Sequence, residues 1–198
     1  MSEGFHDAFE MELLQGNLLG VETLDALKTL ERRITKFRYA QLQRHPIQGS
    51  WDYRHLKSIH RELFQDLYPW AGQDRYTMGL HRVFCKGSTC FTPAERLPEV
   101  SERLFGALAD ENFFRGLPHP EFVRKMAIFM NGLNLLHPFR EGNGRVQRIF
   151  MESLAETAGY ALDFTEVSQS MMVQAAILGS KGRLEGYEVL LARYSEPL

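Results

Sequence analysis

Cysteine is scarce in this chain of 198 residues, which contains only Cys85 and Cys90. Two cysteines are too few for the disulfide framework on which many small secreted domains depend. Together with His81 they could supply three metal ligands, but no fourth ligand follows nearby, and a structural zinc site needs four. The sequence therefore predicts two free thiols in a protein of a reducing compartment.

Long apolar runs are also absent from the sequence. No segment approaches the roughly 20 consecutive apolar residues that a transmembrane helix needs. The N-terminal segment 1–7 contains early acidic side chains and lacks the basic-then-apolar order of a secretory signal. We therefore expect a cytoplasmic protein without a membrane partner.

Neither sign of charge dominates, because 23 basic and 25 acidic residues give a formal net charge of −2 at pH 7. The densest basic stretch comprises Arg32, Arg33, Lys36, Arg38 and Arg44. These residues are spread around a predicted helix, which favours a solvated face over a nucleic-acid surface. A hydrophobic content of 44% and the length suit one globular domain, so we expect a single domain over 1–198 without direct nucleic-acid binding.

Apolar residues recur at helical spacing through most of the chain, which predicts an all-α fold. Thr92-Pro93-Ala94-Glu95 has the form of a capping box with proline at the first helical position, so one helix is expected to begin there. Pro120 opens the helix that leads to His137, and Gly159 is expected to end the helix after it. The predicted helices cover about 23–44, 51–68, 93–108, 120–136, 145–158, 165–178 and 183–193.

One stretch, over about 72–91, breaks the helical pattern because it is rich in glycine, aromatic and β-branched residues. Lys86-Gly87 is a plausible hairpin tip within it. The segment by itself is equally compatible with a plain surface hairpin and with a functional one.

The chemistry of this chain is concentrated in the twelve residues 137–148, His-Pro-Phe-Arg-Glu-Gly-Asn-Gly-Arg-Val-Gln-Arg. His137 is the one side chain in this run that changes protonation near neutral pH, which makes it the candidate general base. Glu141 is a hard oxygen ligand that suits Mg²⁺ when substrate phosphates complete the coordination shell.

The remaining residues of the run suit a polyphosphate. Gly142-Asn143-Gly144 lets the backbone approach an anion closely, and the loop precedes a predicted helix whose N-terminus favours negative charge. Arg145 and Arg148 are three residues apart and therefore share one helical face. Two neighbouring guanidinium groups fit a substrate that carries several phosphates.

Each of these features also has an ordinary structural explanation. Gly-Asn-Gly alone is a common turn, an arginine pair usually lies on a solvated face, and His137 could simply end a helix with its ring satisfied. The combination of base, carboxylate, anion-binding loop and arginines within one short run favours the functional interpretation.

This run resembles the signature of the Fic (filamentation induced by cAMP) family, His-x-Phe-x-Asp/Glu-Gly-Asn-Gly-Arg-x-x-Arg. Its eight fixed positions are filled here by His137, Phe139, Glu141, Gly142, Asn143, Gly144, Arg145 and Arg148. The resemblance implies a single helical domain with a β-hairpin flap over the active site. It also implies the family's usual reaction, transfer of AMP from ATP to a protein side-chain hydroxyl with release of pyrophosphate.

The same resemblance implies a role for each signature residue. His137 would deprotonate the target hydroxyl and Glu141 would hold Mg²⁺. Asn143 and the amides of the two glycines would bind the α- and β-phosphates, while Arg145 and Arg148 would bind the β- and γ-phosphates. Phe139 would point into the core and fix the loop.

Trp70-Ala71-Gly72 and the Lys-Gly-x-x-x-Phe segment resemble the family's flap region. The resemblance implies that Lys86, Gly87 and Phe91 contact a target protein, which would add a strand along the flap. The interval from Arg75 to Lys86 is longer than the family pattern leads us to expect, so the register of the flap remains open.

Two further comparisons with the family concern its subtypes. Many members carry a self-inhibitory helix with Ser/Thr-x-x-x-Glu-Gly/Asn, and this chain contains no such match. Its absence implies inhibition in trans by a small antitoxin, as in toxins of this family that modify a tyrosine of DNA gyrase or topoisomerase IV. The related Doc kinases have lysine at the last glycine of the motif, so Gly144 favours AMP transfer over phosphate transfer.

Other functions remain compatible with the sequence. The adenine pocket is not readable, so another nucleotide, such as UTP with transfer of UMP, is an alternative. A non-catalytic module could use the loop to bind nucleotide or the flap to bind protein. Such a module would not need a base, and His137 beside Glu141 therefore favours an enzyme.

Overall fold

The structure is a computed structural model that describes residues 10–87 and 89–198. The N-terminal segment 1–7, where the sequence predicts no secretory signal, lies outside these ranges. The prediction of a helical fold with a small β-hairpin is confirmed. Within the described ranges, no helix is both long enough and apolar enough to cross a bilayer.

The chain divides into two compact units. The first consists of the described residues through Gln48 together with Lys57–Gln73, and the second consists of Gly49–Leu56 and Asp74–Leu198. The twelve-residue run and the hairpin both belong to the second unit, which therefore contains the predicted site.

The first unit contains helix α1 (Leu24–Arg44) and most of helix α2 (Tyr53–Phe64). The Thr23 hydroxyl caps α1 by accepting the Ala26 N–H, as expected for an N-cap threonine. Helix α2 is shorter than predicted, because residues 65–73 form turns and not a further helical turn. The unit's buried apolar residues include Leu27, Leu42, Leu63, Phe64, Leu67 and Tyr68.

The second unit is built from helices α3 (Leu97–Asp110), α4 (His119–Leu136), α5 (Asn143–Ala158), α6 (Gln169–Gly179) and α7 (Glu185–Tyr194). Helix α4 packs against α3, α5, α6 and α7, so it runs through the core of the unit. Phe105 of α3, Phe129 of α4 and Phe150 of α5 meet with ring centroids 5.7–6.0 Å apart. This central helix is the one that carries His137 at its end.

The predicted capping box at Thr92 is wrong. Residues Ala94–Arg96 form a short 3₁₀ turn ahead of α3, and no side chain caps it. The Thr92 hydroxyl instead donates to the Leu135 carbonyl at 3.0 Å, and the Thr92 N–H donates to the same oxygen at 2.9 Å. A partner 43 residues away in sequence has therefore replaced the local cap.

Two small antiparallel pairs of strands accompany the helices. Strands β1 (Cys85–Lys86) and β2 (Thr89–Cys90) form a hairpin with its tip after Lys86, as predicted, but the hairpin covers only 85–90 of the predicted 72–91, and the residues before it form turns and loop. Strands β3 (Tyr160–Leu162) and β4 (Ser195–Pro197) pair with each other and were not predicted. Each of these strands has only three residues, which is too short for an alternation of apolar and polar residues to be recognised in the sequence.

The prediction of free thiols is wrong, because Cys85 and Cys90 form a disulfide. The two residues face each other directly in the register of the hairpin, with their Cα atoms 4.0 Å apart. Count and spacing in the sequence could not show this, since the pairing depends on the strands meeting across a short turn. The disulfide joins the two strands of the hairpin (called the flap below, residues 85–90).

Candidate active site

His137 is the residue at which helix α4 ends. Its backbone is left-handed, with φ 43° and ψ 56°, and its N–H donates to the Leu133 carbonyl at 3.1 Å. A non-glycine residue in this conformation is uncommon and persists where surrounding contacts hold it. The turn leads directly into the loop 138–142 ahead of α5, which keeps the base and the loop adjacent.

The imidazole of His137 packs against two aromatic rings and is only 7% exposed. The ring of Phe91 stacks on it with centroids 3.7 Å apart and planes 14° apart, and the Phe84 ring lies at 5.9 Å. The Nε2 atom is buried and has no hydrogen-bond partner within the described ranges. A buried polar atom in this state is energetically costly, and a substrate hydroxyl is the kind of group that would satisfy it.

The pKa of His137 is lowered well below its ordinary value of 6.5. Burial is the largest cause because it penalises the charged form, and the positive charges of Lys86 and Arg75 lower the pKa further. A hydrogen bond to the main chain of Asn134 acts in the opposite direction. His137 is therefore neutral at pH 7, which is the form that accepts a proton.

The loop meets helix α5 at Gly142 and Asn143. Gly142 precedes the helix with φ 83°, a left-handed conformation that favours glycine. The side chain of Asn143 bonds both main-chain groups of Phe139, accepting its N–H at 2.9 Å and donating to its carbonyl at 2.7 Å. This side chain therefore shapes the loop, and its contact with phosphate stays a prediction. Phe139 is 1% exposed, so its predicted position in the core agrees with the structure.

Glu141 lies half-buried at the N-terminus of α5. Its Oε1 accepts the Gly142 N–H at 2.9 Å and pairs with Arg145 at 3.3 Å. Among the described residues, no group of three or more His, Cys, Asp or Glu side chains could hold a metal by itself. One carboxylate nevertheless fits Mg²⁺, which is commonly held by one or two carboxylates together with substrate phosphates and water.

Arg145 and Arg148 are both half-buried on the first turns of α5, three residues apart. This spacing places them on neighbouring positions of one helical face. Apart from its chain neighbours and the backbone of its own helix, a Cβ atom at Gly144 would meet no atom of the described residues within 4 Å, so the main chain there is open to approach. Open backbone at a helix N-terminus beside two guanidinium groups suits a polyphosphate.

The flap presents its predicted target-binding residues in different ways. Lys86 and Gly87 are exposed at the tip, where Gly87 has φ 58°. Phe91, just after the flap, is buried and covers one face of His137. The structure thus brings Phe91 to the base, and target contacts by all three residues stay predictions.

Two residues beside the base were missed by sequence reasoning. Arg75 is fully buried, and its Nε donates to the His137 carbonyl at 2.9 Å across a separation of 62 residues. Thr92 bonds the carbonyl of Leu135, two residues before the base. No local pattern reveals either contact, because each depends on a main-chain carbonyl far away in the sequence.

Curated relatives of the chain include named adenylyltransferases. The chain is 35% identical over 177 residues to the protein adenylyltransferase VbhT of Bartonella schoenbuchensis, covering 89% of this chain and 36% of that protein. It is 32% identical over 198 residues to the probable protein adenylyltransferase Fic of Salmonella typhimurium, covering 98% of this chain and 96% of that protein. The chain thus spans about a third of the first relative and nearly all of the second.

Solved structures share the fold. The BepC protein of Bartonella tribocorum, a VirB-translocated effector solved with bound AMPPNP, superposes with a TM-score of 0.83 and 26% identity, covering 92% of each chain. In sequence, residues 50–155 match the Fic/DOC family, a range that contains the hairpin and the whole signature. This protein therefore belongs to the Fic/DOC family.

Proposed function

We propose that the chain is a protein adenylyltransferase, which transfers AMP from ATP to a Tyr, Ser or Thr hydroxyl of a target protein. The observation that carries the proposal is the His137 imidazole, a buried neutral base next to an open helix N-terminus, whose Nε2 bonds no group in the described part of the chain. A module that only bound nucleotide would need the helix N-terminus and the arginines but not this base. The names of the relatives support the same activity.

In this mechanism Nε2 of His137 accepts the proton of the target hydroxyl. The target oxygen then forms a bond to the α-phosphorus of ATP, while the bond from that phosphorus to the oxygen bridging to the β-phosphate breaks. Pyrophosphate leaves, and AMP remains on the target. Because His137 is neutral at pH 7, it can take the proton without first losing one.

The helix N-terminus of α5 orients the nucleotide. The N–H groups of Asn143 and Gly144 would face the α- and β-phosphates, joined by the Gly142 N–H once it exchanges the Glu141 carboxylate for phosphate, and Arg145 and Arg148 would face the β- and γ-phosphates. Glu141 would hold Mg²⁺, which neutralises phosphate charge when bound. The bound AMPPNP of the similar BepC protein supports a triphosphate nucleotide here.

The flap is the proposed docking edge for the target. Within the part of the chain that the structure describes, β1 and β2 pair only with each other, so each has an outer edge without a partner strand, and Lys86 and Gly87 lie exposed at the tip. Main-chain pairing along such an edge would bring a hydroxyl of the added segment towards His137. A single Fic domain covering 1–198 is the proposed organisation of the chain.

The finer biological role is also a proposal. We propose that the protein is a cytoplasmic bacterial toxin. Its proposed target is DNA gyrase or topoisomerase IV, and a small antitoxin is proposed to hold it inactive. The support is that the printed sequence contains no self-inhibitory Ser/Thr-x-x-x-Glu-Gly/Asn motif. Co-purification of the chain with a small partner that suppresses its activity, and modification of a purified gyrase subunit, would test the two parts separately.

The decisive experiment uses ATP labelled at the α-phosphate, with Mg²⁺, the purified chain and a bacterial lysate, and with His137→Ala in parallel. We expect labelled protein bands that disappear in the variant, while nucleotide titration shows nearly unchanged ATP affinity. An equally active His137→Ala variant would contradict the mechanism.

Parallel labels distinguish the alternatives. Label from the γ-phosphate but not from the α-phosphate would identify a kinase, and label from α-labelled UTP alone would identify transfer of UMP. Binding of ATP without transfer to a lysate or to purified gyrase subunits would favour the non-catalytic module.

A further inference from the structure

A buried arginine, Arg75, stands outside the signature and has no role in the mechanism described so far. It belongs to the same unit as His137 and is 0% exposed. A charged group so deeply buried is tolerated only where hydrogen bonds compensate the lost hydration. The acceptors of these hydrogen bonds therefore indicate the role of Arg75.

Arg75 donates hydrogen bonds to three consecutive main-chain carbonyls, that of the last residue of α4 and those of the two residues after it. Its Nε donates to the His137 carbonyl at 2.9 Å, its Nη2 to the Leu136 carbonyl at 3.3 Å, and its main-chain N–H to the Pro138 carbonyl at 2.8 Å. The last carbonyls of a helix have no partners within the helix and carry partial negative charge. Arg75 supplies both the donors and the opposite charge.

Arg75 is itself held firmly from the other side. The preceding Asp74 carboxylate accepts the Thr77 N–H at 2.7 Å, the Thr77 hydroxyl at 2.8 Å and the Tyr53 hydroxyl at 2.9 Å. These bonds fix the turn from which the Arg75 side chain extends. Burial and the nearby Asp74 charge raise the pKa of Tyr53, so its hydroxyl remains a donor to that carboxylate.

Arg75 also joins the flap region to the base. Its Nη2 donates to the Thr92 carbonyl at 2.7 Å, and its guanidinium lies 5.1 Å from the centroid of the Phe84 ring. Phe84 and Phe91 are the rings that pack on the imidazole. One side chain therefore contacts the backbone of the base and the residues that flank the flap.

We infer that Arg75 is a positioning residue for catalysis, which fixes the left-handed backbone of His137 and so aims its imidazole at the target hydroxyl. The conformation at φ 43° needs such support, and the carbonyls on both sides of the His137 Cα are the groups that Arg75 holds. Because the imidazole extends from that same Cα, a shift of these carbonyls rotates the base. The inference rests on the proposed function.

The test compares Arg75→Lys and Arg75→Met with the wild type. Lysine keeps the positive charge but lacks the planar fork that reaches several carbonyls at once, and methionine removes charge and donors while filling similar volume. For both variants we expect kcat to fall by about 10- to 100-fold, because displacing a catalytic group from its productive position slows a reaction by factors of this size. KM for ATP and direct ATP affinity should stay within about twofold, since the helix N-terminus of α5 is untouched.

The pH profile separates positioning from simple loss of stability. Because the Arg75 charge lowers the His137 pKa, Arg75→Met should move the acidic limb of the kcat profile to higher pH, and Arg75→Lys should leave it in place. A control is Arg38→Met, which removes an arginine bonded to Glu62 and Asp66 in the other unit. That variant should lower stability but leave kcat and the profile unchanged.

The outcomes distinguish this inference from the proposed function. If the wild type transfers no AMP, the proposed function fails, and the Arg75 variants are not needed to show it. If the wild type is active and a folded Arg75→Lys retains its kcat, the positioning role is overturned while the function stands. A fall in kcat that merely parallels the loss of folded protein, as measured by circular dichroism, would likewise overturn it.

Discussion

The first prediction concerns the residue His137 and states how the rate of transfer depends on pH, because burial lowers the pKa of this base. Because its pKa is lowered, the imidazole stays neutral at pH values where an ordinary histidine becomes protonated. We therefore expect kcat/KM to show no decline as the pH falls through about 6.5 and to decline only at more acidic pH. Lys86→Met should raise the pKa of His137 and move this limb to higher pH, because it removes a like charge. Initial rates between about pH 5 and 8 measure both.

The same shift affects folding stability. Between the folded and unfolded pKa values of His137 the unfolded chain binds more protons, so the free energy of unfolding rises with pH. This contribution is complete above about pH 6.5 and is lost as pH falls towards the lowered folded value. Urea titrations should show a weaker pH dependence in His137→Asn. An identical dependence in that variant would assign the effect to other groups.

A second prediction at the residue scale concerns Gly144. Its backbone is helical, and beyond its own helix a Cβ would meet no atom of the described residues within 4 Å, so Gly144→Ala should fold at least as stably as the wild type. Alanine in a helix is favoured over glycine by up to about 1 kcal/mol. ATP affinity should nevertheless fall, because the methyl group occupies the space through which phosphate approaches the backbone. Thermal unfolding and nucleotide titration of the one variant test both halves.

At the scale of elements, the flap depends on the disulfide between Cys85 and Cys90. Its strands contain two residues each, and a hairpin this short is marginal without a covalent link. We expect reduction, or Cys85→Ser with Cys90→Ser, to raise KM for the target protein more than KM for ATP. Steady-state kinetics with and without a thiol reductant measure this, and the double variant should no longer respond to the reductant. Equal target KM values would exclude a role of the disulfide in docking.

The disulfide also gives the proposed cytoplasmic location a direct test. Structural disulfides are rare in reducing compartments, where those that occur are commonly transient or redox-sensing. Alkylation of the thiols in intact cells, followed by mass spectrometry, reports whether Cys85 and Cys90 are paired there.

The sequence predicts the elements that depend on nearby residues and misses the contacts that depend on residues far away in the chain. The helices were predictable because their apolar spacing is local, and the signature was predictable because its residues lie within twelve positions. The predicted cap at Thr92 is wrong because the Thr92 hydroxyl donates to the Leu135 carbonyl instead. Arg75 was missed for a related reason, since its acceptors lie on a helix end that only the fold brings near.

For the whole molecule, the division into two units bears on how ligands affect stability. The signature residues all lie in the unit of Gly49–Leu56 and Asp74–Leu198. A ligand that binds only the folded form stabilises it by about 2.7 kcal/mol at 100 times its Kd. Mg²⁺ and ATP should therefore raise the melting temperature of the transition that reports this unit by several degrees.

Variants give this thermal prediction its controls. His137→Ala should be stabilised by ATP as much as the wild type, because the base acts on the target. Gly144→Ala should respond less at the same ATP concentration. Differential scanning calorimetry with tryptophan fluorescence can follow Trp51 in one unit and Trp70 in the other. A shift equally large in Gly144→Ala would contradict the placement of phosphate at the start of α5.

The stacking of Phe91 on His137 bears on hydrolysis of the nucleotide by water, a side reaction that the proposed transferase would have to limit. With one face of the imidazole covered, the residue 7% exposed and Nε2 itself buried, the base is shielded from bulk solvent. Main-chain pairing along the flap would deliver a target hydroxyl in a fixed orientation, which a free water molecule does not have. Under the proposed function, the aromatic cover would therefore favour transfer to the target over hydrolysis of ATP.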